Sequence, residues 1–391
     1  MGPFLLPDKS TLQKLSYSKK EYIYLFNEFF VVIPPVLIME ILGDLSKKPS
    51  KKFPSSETLA SSLANKLFPG GEIPPDFKAL CVGSLLGTKI PMSGWQIPID
   101  RGDIVTAENG SSGWVIDEHP LRGIIRDWQR GIFSDSEHLY AKLYREQIKS
   151  LNLESTREFI EKSSPVKLKK IFNPFELQFL VESSIYNVNE KHQFKLLVLF
   201  MSYLNLPPRY KSITLSRWQR SGNPPFCKFA PYAFHCFKVM YYFMAGFLTR
   251  FFSSKDSNII DMQYLYYLPF CKVFSTGDKQ LQKFFFLVKN IDQKLITDED
   301  MKTDLRKIND YWRKLNEDEK EEYAYEYGYY PPEDPDNKIY QVWREFAGPR
   351  RKGMGNRALR YTPEESKRAT EEIEAIMEAI KKHQHKKEKH I

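Results

Sequence analysis

The chain has 391 residues, of which 42% are hydrophobic and 14% aromatic. This composition excludes an intrinsically disordered protein, and the length predicts two lobes or one domain with a large insertion. The 58 basic and 49 acidic residues give a net charge of +9, which suits a polyanionic partner but is common in other classes of protein.

The first 33 residues predict two short buried strands joined by a helix. "PFLL" is an apolar strand that ends at Asp8, and "VVI" is a second, β-branched one. Between them, "STLQKLSYSKKEYIYLFNEFF" has the apolar spacing of one helix, with Ser10 as its expected N-cap. Such a β-α-β unit indicates a parallel sheet that carries helices on its faces.

A second helix follows at once. Pro34-Pro35 suits the first turn of a helix, which continues through "VLIMEILGDLS". This helix carries Glu40 and, one turn later on the same face, Asp44.

Residues 49–254 predict a long and mainly helical insertion. The stretch 46–75 is rich in Lys, Ser and Pro and is typical of a linker or an exposed excursion. From 76 to 119, Gly and Pro punctuate two short candidate strands, "GWQIPI" and "DIVTA". From 120 to 252, helical spacing dominates.

The α/β pattern returns at residue 257. "NIIDMQYLYYL" predicts a helix with Asp261 near its start, and "CKVFSTGD" predicts a strand that ends at Thr276-Gly277-Asp278. "KQLQKFFFLVKN" then predicts a helix or a helix-strand junction, and "DEDMKTDLRKINDYWRKL" an amphipathic helix.

The last part of the chain, 318–391, is polar. "NEDEKEEYAYEYGYYPPEDPDNK" predicts a loop, and "TPEESKRATEEIEAIMEAIKKHQHKKEKH" predicts a charged, exposed helix.

The sequence predicts a cytoplasmic protein without a membrane anchor. The most apolar segment, 229–252, is interrupted by His235 and Lys238, which favours a buried helix over a membrane span. The four cysteines have no CxxC spacing and indicate reduced thiols, and no signal peptide is recognisable.

Four acids are expected at one edge of the sheet, because ligands of a parallel sheet bind outside the carboxyl ends of its strands. These acids are Asp8, Glu40, Asp261 and Asp278. Four carboxylates in one pocket repel each other unless a cation neutralises them, and oxygen ligands suit Mg²⁺ or Mn²⁺. Such a site activates water and stabilises a phosphodiester under attack, so the pattern predicts metal-dependent phosphodiester hydrolysis.

Each acid alone also has a simpler explanation. Asp8 and Asp278 could be helix N-caps, and Asp261 could complement a helix dipole. Glu40 is harder to explain in this way, because it lies in an apolar helix and charged residues are seldom buried without a partner.

Two segments mix basic and aromatic residues, "RGIIRDWQR" at 122–130 and "PPRYKSITLSRWQR" at 207–220. Such mixing can stack bases and neutralise phosphates. The alternative is a pair of amphipathic helices that bury Trp128 and Trp218 and expose their arginines.

Three segments together resemble the motif segments of PIN-like nuclease domains: "LLPDKSTLQKLS", "VVIPPVLIMEILGDL" and "NIIDMQYLYYLPFCKVFSTGDKQL". In that family, a strand ends in Asp-x-Ser/Thr/Asn, a glutamate follows the second strand, and an Asp-bearing helix leads to a strand closed by Thr/Ser-x-Asp. The residues that fall on these positions are, in chain order, Asp8 with Ser10, Glu40, Asp261, and Thr276 with Asp278. The resemblance covers 1–48 and 255–300, and the long gap after Glu40 implies that the third strand of the sheet is hidden in the insertion.

The resemblance implies an α/β fold of PIN-like type, in three layers, with a central, mostly parallel sheet. Residues 1–48 and 255–317 would form its two parts, 49–254 the helical insertion and 318–391 a polar, charged helical extension. It further implies that the four acids hold one or two divalent ions, Mg²⁺ or Mn²⁺. The supporting residues are Ser10, Thr276 and Asp44, and the candidates for phosphate contact are Lys9 and Lys279.

The expected activity is that of an endonuclease acting on nucleic acid, on RNA rather than DNA, with a regulatory protein as a further potential partner. The preference for RNA follows from the family resemblance. The alternative is a non-catalytic nucleic-acid-binding or scaffold protein with a degenerate nuclease core.

Overall fold

The computed structural model describes residues 2–16, 18–67, 71–99, 102–115, 118–163, 169–355 and 362–388. The strands are β1 (Phe4–Pro7), β2 (Phe30–Val31), β3 (Asp103–Thr106), β4 (Ser112–Val115), β5 (Val273–Thr276) and β6 (Lys294–Thr297). The first half of the chain holds α1 (Lys9–Lys14), α2 (Glu21–Glu28), α3 (Pro35–Leu42), α4 (Ser56–Ala64), α5 (Phe77–Leu86), α6 (Pro120–Gln129), α7 (Asp135–Ser150), α8 (Leu153–Ser163) and α9 (Pro174–Ile185). The second half holds α10 (Glu190–Tyr203), α11 (Pro208–Arg220), α12 (Phe226–Phe229), α13 (Pro231–Leu248), α14 (Asn258–Leu265), α15 (Lys279–Val288), α16 (Asp298–Trp312), α17 (Glu317–Tyr327), α18 (Lys338–Ala347) and α19 (Pro363–Glu388).

A parallel sheet in the order β2-β1-β5-β6 forms the centre of the fold. The predicted α/β class with a parallel sheet is therefore confirmed, and its PIN-like character stays a prediction. β1 pairs with β2 on one side and with β5 on the other, with Pro7 opposite Ser275. Because all four strands run in the same direction, the residues that follow them emerge at one edge of the sheet.

The strand ending at Asp8 is confirmed, and its proline fits for a physical reason. β2 pairs only with Phe4 and Leu5, so the missing N–H of Pro7 faces no strand on that side. Leu5 and Leu6 are fully buried.

The single helix predicted between the first two strands is wrong, because the chain forms α1 and α2 with a break between them. Leu15 is extended, with ψ of 141°, and ends α1, while Lys20 adopts a left-handed conformation with φ of 55° directly before α2. The Glu21 side chain then accepts a hydrogen bond from the Ser16 N–H at 2.6 Å and holds the break in place. The N-cap of α1 is Asp8 and not Ser10, since the Asp8 carboxylate accepts the Thr11 N–H at 2.8 Å.

The helix expected after the proline pair is confirmed as α3, with Pro35 in its first turn. It continues into a 3₁₀ helix, Gly43–Ser46, which carries Asp44.

The insertion departs from the sequence prediction in two places. The stretch 46–75 contains α4, whose Ala60 and Leu63 are buried, so it is no simple linker. "DIVTA" does form β3, which pairs with β4 in an antiparallel hairpin, whereas "GWQIPI" forms no strand. From 120 to 252 the predicted dominance of helices is confirmed, since the region holds α6 to α13.

The apolar segment 229–252 contains α13, which is packed inside the protein. Phe237, Val239 and Tyr242 on this helix are fully buried. His235 lies 2.8 Å through its Nε2 from the Leu265 carbonyl oxygen, and burial lowers its pKa to about 4. Among the helices whose residues the structure describes, none has the length and apolar character that crossing a membrane requires.

The outer strand β6 was not predicted. It supplies the fourth position of the sheet, beside β5, and follows α15 in the chain. The described part of the insertion adds only a single parallel bridge, between Glu72 and Val32, where a further strand was expected.

The C-terminal region is more structured than its polar sequence indicates. The predicted loop contains α17, and α18 inserts Trp343 into the core, where its indole N–H donates to the Glu28 carbonyl oxygen at 3.0 Å. The charged helix predicted at the end is confirmed as α19, which reaches the β3–β4 hairpin through an ion pair of Lys382 with Glu108 at 3.1 Å. The division of the chain into four parts stays a prediction.

Candidate active site

Asp8 is the most firmly held of the predicted acids. It is 4% exposed, and its carboxylate accepts hydrogen bonds from the hydroxyls of Ser10 at 2.8 Å, Thr11 at 3.0 Å and Thr276 at 2.6 Å. Burial raises the pKa of Asp8 to about 6, while the hydrogen bonds from Thr276, Thr11 and Ser10 oppose the increase. Ser10 and Thr276 therefore do orient this acid, as a supporting role requires.

The loop after β5 joins Asp278 to the same network. The Gly277 N–H donates to the Ser10 hydroxyl at 2.7 Å, and the Asp278 N–H donates to the Thr276 hydroxyl at 3.0 Å. One oxygen of Asp278 caps α15 by accepting the N–H groups of Gln280 and Leu281, both at 2.8 Å. The simpler capping roles of Asp8 and Asp278 are thus real, and both residues lie at the shared edge as well.

Glu40 and Asp261 meet across two helices. Glu40 on α3 accepts a hydrogen bond from the Tyr264 hydroxyl at 2.5 Å, and Tyr264 lies on α14, one turn after Asp261. In the part of the chain that the structure describes, neither Glu40 nor Asp261 has an ion-pair partner.

Electrostatic repulsion connects these acids. Burial raises the pKa of Asp261 to about 8. Glu40 and then Asp278 add to the increase, Lys255 opposes it, and Asp8 adds a smaller increase. Asp261 and Asp278 also line one small cavity, together with Asn258 and Gln280. The four predicted acids therefore share one electrostatic environment at the edge of the sheet.

Asp44 forms ion pairs with three cations close to Glu40. It is fully buried, and its Oδ1 pairs with Lys9 at 2.7 Å, Lys47 at 2.9 Å and Arg145 at 3.0 Å. The Lys9 ammonium also donates to the Glu40 carbonyl oxygen at 2.8 Å, so this cluster holds the backbone that carries Glu40.

The two lysines proposed for phosphate contact differ sharply. Lys9 is 8% exposed and its ammonium is engaged inside the protein, which leaves it unable to reach a phosphate without breaking the Asp44 pair. Lys279 is exposed beside Asp278 and stays a candidate.

Three residues at this site escaped the sequence prediction. Tyr264 donates a hydrogen bond to Glu40. Asp298 follows β6 and packs against Gly277, where an added Cβ would lie 2.4 Å from the Asp298 Oδ2. Tyr144 on α7 has a buried hydroxyl with no hydrogen-bond partner among the described residues. Burial and then the Glu40 carboxylate raise the pKa of Tyr144, which indicates that the insertion reaches the acids. Asp298 repeats the strand-then-acid pattern of Asp8, but its strand was not recognised.

The two basic and aromatic segments do not form stacking surfaces through their tryptophans. Trp128 is 1% exposed and donates its indole N–H to Glu137 at 2.5 Å, and Trp218 is 3% exposed. The alternative of amphipathic helices with buried tryptophans is confirmed.

The donors suit a hard divalent cation by their chemistry, because they are carboxyl oxygens that have no ion-pair partner among the described residues. Their side chains are not, however, preassembled as a ligand set: across the described ranges, no group of three or more His, Cys, Asp or Glu residues is arranged so that it could hold a metal ion.

Comparison with known proteins finds no matching family model, no matching curated protein and no matching solved structure.

Proposed function

We propose that the protein is a divalent-metal-dependent phosphodiesterase that cuts a polynucleotide internally, with RNA preferred over DNA. The observation that carries this proposal is the pair of Glu40 and Asp261, two carboxyl groups that share one environment with Asp8 and Asp278 and have no ion-pair partner among the described residues. A fold gains nothing from collecting such charges, because their repulsion opposes folding. A ligand that neutralises them gives the arrangement a purpose.

The proposed ligand is Mg²⁺ or Mn²⁺, held by Asp8, Glu40, Asp261 and Asp278. When bound, such an ion activates a water molecule and offsets the negative charge that develops on a phosphodiester. Ser10 and Thr276 would keep Asp8 in position, and Lys9 would fix the backbone at Glu40. Lys279 is exposed next to Asp278 and could contact a substrate phosphate.

The preference for RNA rests on the resemblance to PIN-like nucleases alone. A regulatory protein that restrains the activity stays a prediction.

A non-catalytic nucleic-acid-binding or scaffold protein is the second candidate. It is favoured by the capping roles of Asp8 and Asp278 and by the lack, in the described residues, of a preassembled group of metal ligands. It leaves the proximity of Glu40 and Asp261 unexplained.

The deciding experiment measures cleavage of labelled RNA and single-stranded DNA by the purified protein in Mn²⁺, Mg²⁺ or EDTA. Asp8→Asn and Asp278→Asn are compared with wild type and with Asp318→Asn, a change at an exposed acid of α17. We expect metal-dependent cutting that both site variants lose and the control retains, with circular dichroism showing that all are folded. Neither cutting nor calorimetric Mn²⁺ binding by the wild type would favour the scaffold.

A further inference from the structure

The insertion exposes three phenylalanines close together. Phe172, Phe175 and Phe179 are 76%, 76% and 77% exposed, although large aromatic side chains are usually well buried. Phe175 and Phe179 are four residues apart on α9 and so lie on one face, while Leu177 and Val181 on the other face are fully buried.

We refer to Phe172, Phe175, Phe179 and the adjoining Lys169 and Lys170 as the phenylalanine surface. Exposed apolar patches are typical of interaction sites.

The charges of this surface indicate the kind of partner. Lys169 and Lys170 are exposed and have no ion pair within the described part of the chain, and the Lys170 ammonium lies 4.7 Å from the centroid of the Phe172 ring. One acid, Glu176, is also exposed on α9. Exposed rings beside cations suit single-stranded nucleic acid, whose bases stack on aromatic faces while its phosphates pair with lysines. Protein interfaces, by contrast, are depleted in lysine.

The surface is attached to the segment that leads to the acids. The Ile171 N–H donates to the Thr249 carbonyl oxygen at 3.0 Å, just beyond the end of α13. The chain then continues through Ser253, whose hydroxyl donates to the Gln280 side chain at 2.8 Å and whose carbonyl oxygen accepts from the Asn258 side chain at 2.7 Å.

Gln280 and Asn258 line the same cavity as Asp261 and Asp278. The segment between the surface and the cavity carries Lys255, which is exposed and has no ion pair among the described residues. Lys255 therefore supplies a positive charge on the segment between the phenylalanine surface and the acids.

We propose that the phenylalanine surface binds a single-stranded polynucleotide, with bases stacked on Phe172, Phe175 and Phe179 and phosphates paired with Lys169 and Lys170. The bound polynucleotide continues past Lys255 toward Asp261 and Asp278 at the edge of the sheet. Cutting of that strand at the acids rests on the function proposed above, whereas its binding does not.

Binding is measured by fluorescence anisotropy in EDTA, where metal-dependent cutting cannot occur. The probes are a labelled single-stranded RNA, a single-stranded DNA of the same sequence and the matching duplex. The double variant Phe175→Ala/Phe179→Ala is expected to bind single strands at least about 10-fold more weakly, because stacking on an aromatic side chain is a large part of single-strand affinity. Phe286→Ala removes a phenylalanine that is 60% exposed on α15 and is expected to bind as wild type does.

The lysines have a separate signature. Each phosphate contact on a single strand contributes about 0.7 to the slope of log affinity against log salt concentration. Lys169→Gln/Lys170→Gln is therefore expected to reduce that slope by about 1.4.

The proposal is overturned if the wild type binds neither single strand, if the duplex binds as tightly, or if the phenylalanine variant keeps full affinity. A wild type that binds no nucleic acid would assign the surface to a protein partner. Binding that depends on Phe175 and Phe179, without cutting in Mn²⁺ or Mg²⁺, would support the surface and contradict the proposed nuclease.

Discussion

Asp261 is held in a state that costs the protein stability. Its surroundings favour the protonated carboxyl, first through burial and then through Glu40 and Asp278. Functional sites often conflict with stability in this way, because groups suited to a ligand are unsuited to each other in its absence.

Asp261→Asn should therefore stabilise the protein near neutral pH. The pKa rises from 3.8 to about 8 on folding, so the favourable contribution is complete below pH 3.8 and is lost as the pH rises toward 8. The asparagine does not ionise and avoids this loss. We expect the melting temperature of the variant in EDTA to exceed that of wild type by several degrees at pH 7 to 8 and by little at pH 4. Equal melting temperatures at pH 8 would contradict the assignment, and Asp318→Asn supplies the baseline for removing one exposed acid.

The sequence predicted those site residues that lie in short local patterns. Asp8 and Ser10 follow β1 within three residues, and Thr276 ends β5 two residues before Asp278, so a strand prediction also locates the acid. The contact of Tyr264 with Glu40 spans 224 residues, and nothing in either local sequence announces it. Tyr144 was missed for the same reason, since it depends on how the insertion packs.

Among the elements, the 3₁₀ helix Gly43–Ser46 connects the end of α3 to α7. Arg145 on α7 donates to the Gly43 carbonyl oxygen and to Asp44, both at 3.0 Å. Asp44 at the same time neutralises the buried Lys9. This one acid therefore links α1, the end of α3 and α7.

Substitutions of Asp44 and of Arg145 should lower the free energy of unfolding by unequal amounts. Asp44→Ala leaves Lys9 buried without its counter-charge and should lower the free energy of unfolding by about 3 to 5 kcal/mol. Arg145→Met should cost about 1 kcal/mol or less, because the Arg145 side chain is 35% exposed and Asp44 keeps its pairs with Lys9 and Lys47. Urea titrations followed by circular dichroism measure both, with Lys47→Gln as a second, 39% exposed partner of Asp44. A cost for Asp44→Ala no larger than that for Arg145→Met would show that Lys9 finds another way to be solvated.

The elements that sequence reasoning missed share a physical cause. β6 has only Leu295 and Ile296 as apolar residues, and it is a short edge strand that pairs with β5 alone. α17 is rich in acids and tyrosines, and its helix is set by the Asn316 capping box rather than by an apolar stripe. Capping and edge pairing carry weak sequence signals, whereas buried strands such as β1 and β5 carry strong ones.

At the scale of the whole molecule, the C-terminal region divides into a part that belongs to the core and a part that does not. In α18, Ile339 and Trp343 are buried, and Tyr330 before it is 1% exposed. In α19, Ile373 is 60% and Met377 50% exposed.

Two truncations test this division. Removal of 362–391 should shift the melting temperature by no more than about 2 °C, because it uncovers little apolar surface. Removal of 337–391 should abolish soluble, cooperatively melting protein, because it takes Trp343 out of the core. Expression in parallel and thermal melts decide between these outcomes, and soluble, folded protein lacking 337–391 would mean that α18 is an attachment rather than part of the core.

Because β1 pairs with β5, the acids at the edge of the sheet can come together only after β5 has been synthesised. The Thr276 hydroxyl that holds Asp8 belongs to a residue 268 positions further along the chain. At 5–20 residues per second, a ribosome needs roughly 15 to 50 s to cover that distance. A nascent chain therefore carries its first acid for most of its synthesis without the strand that completes the site.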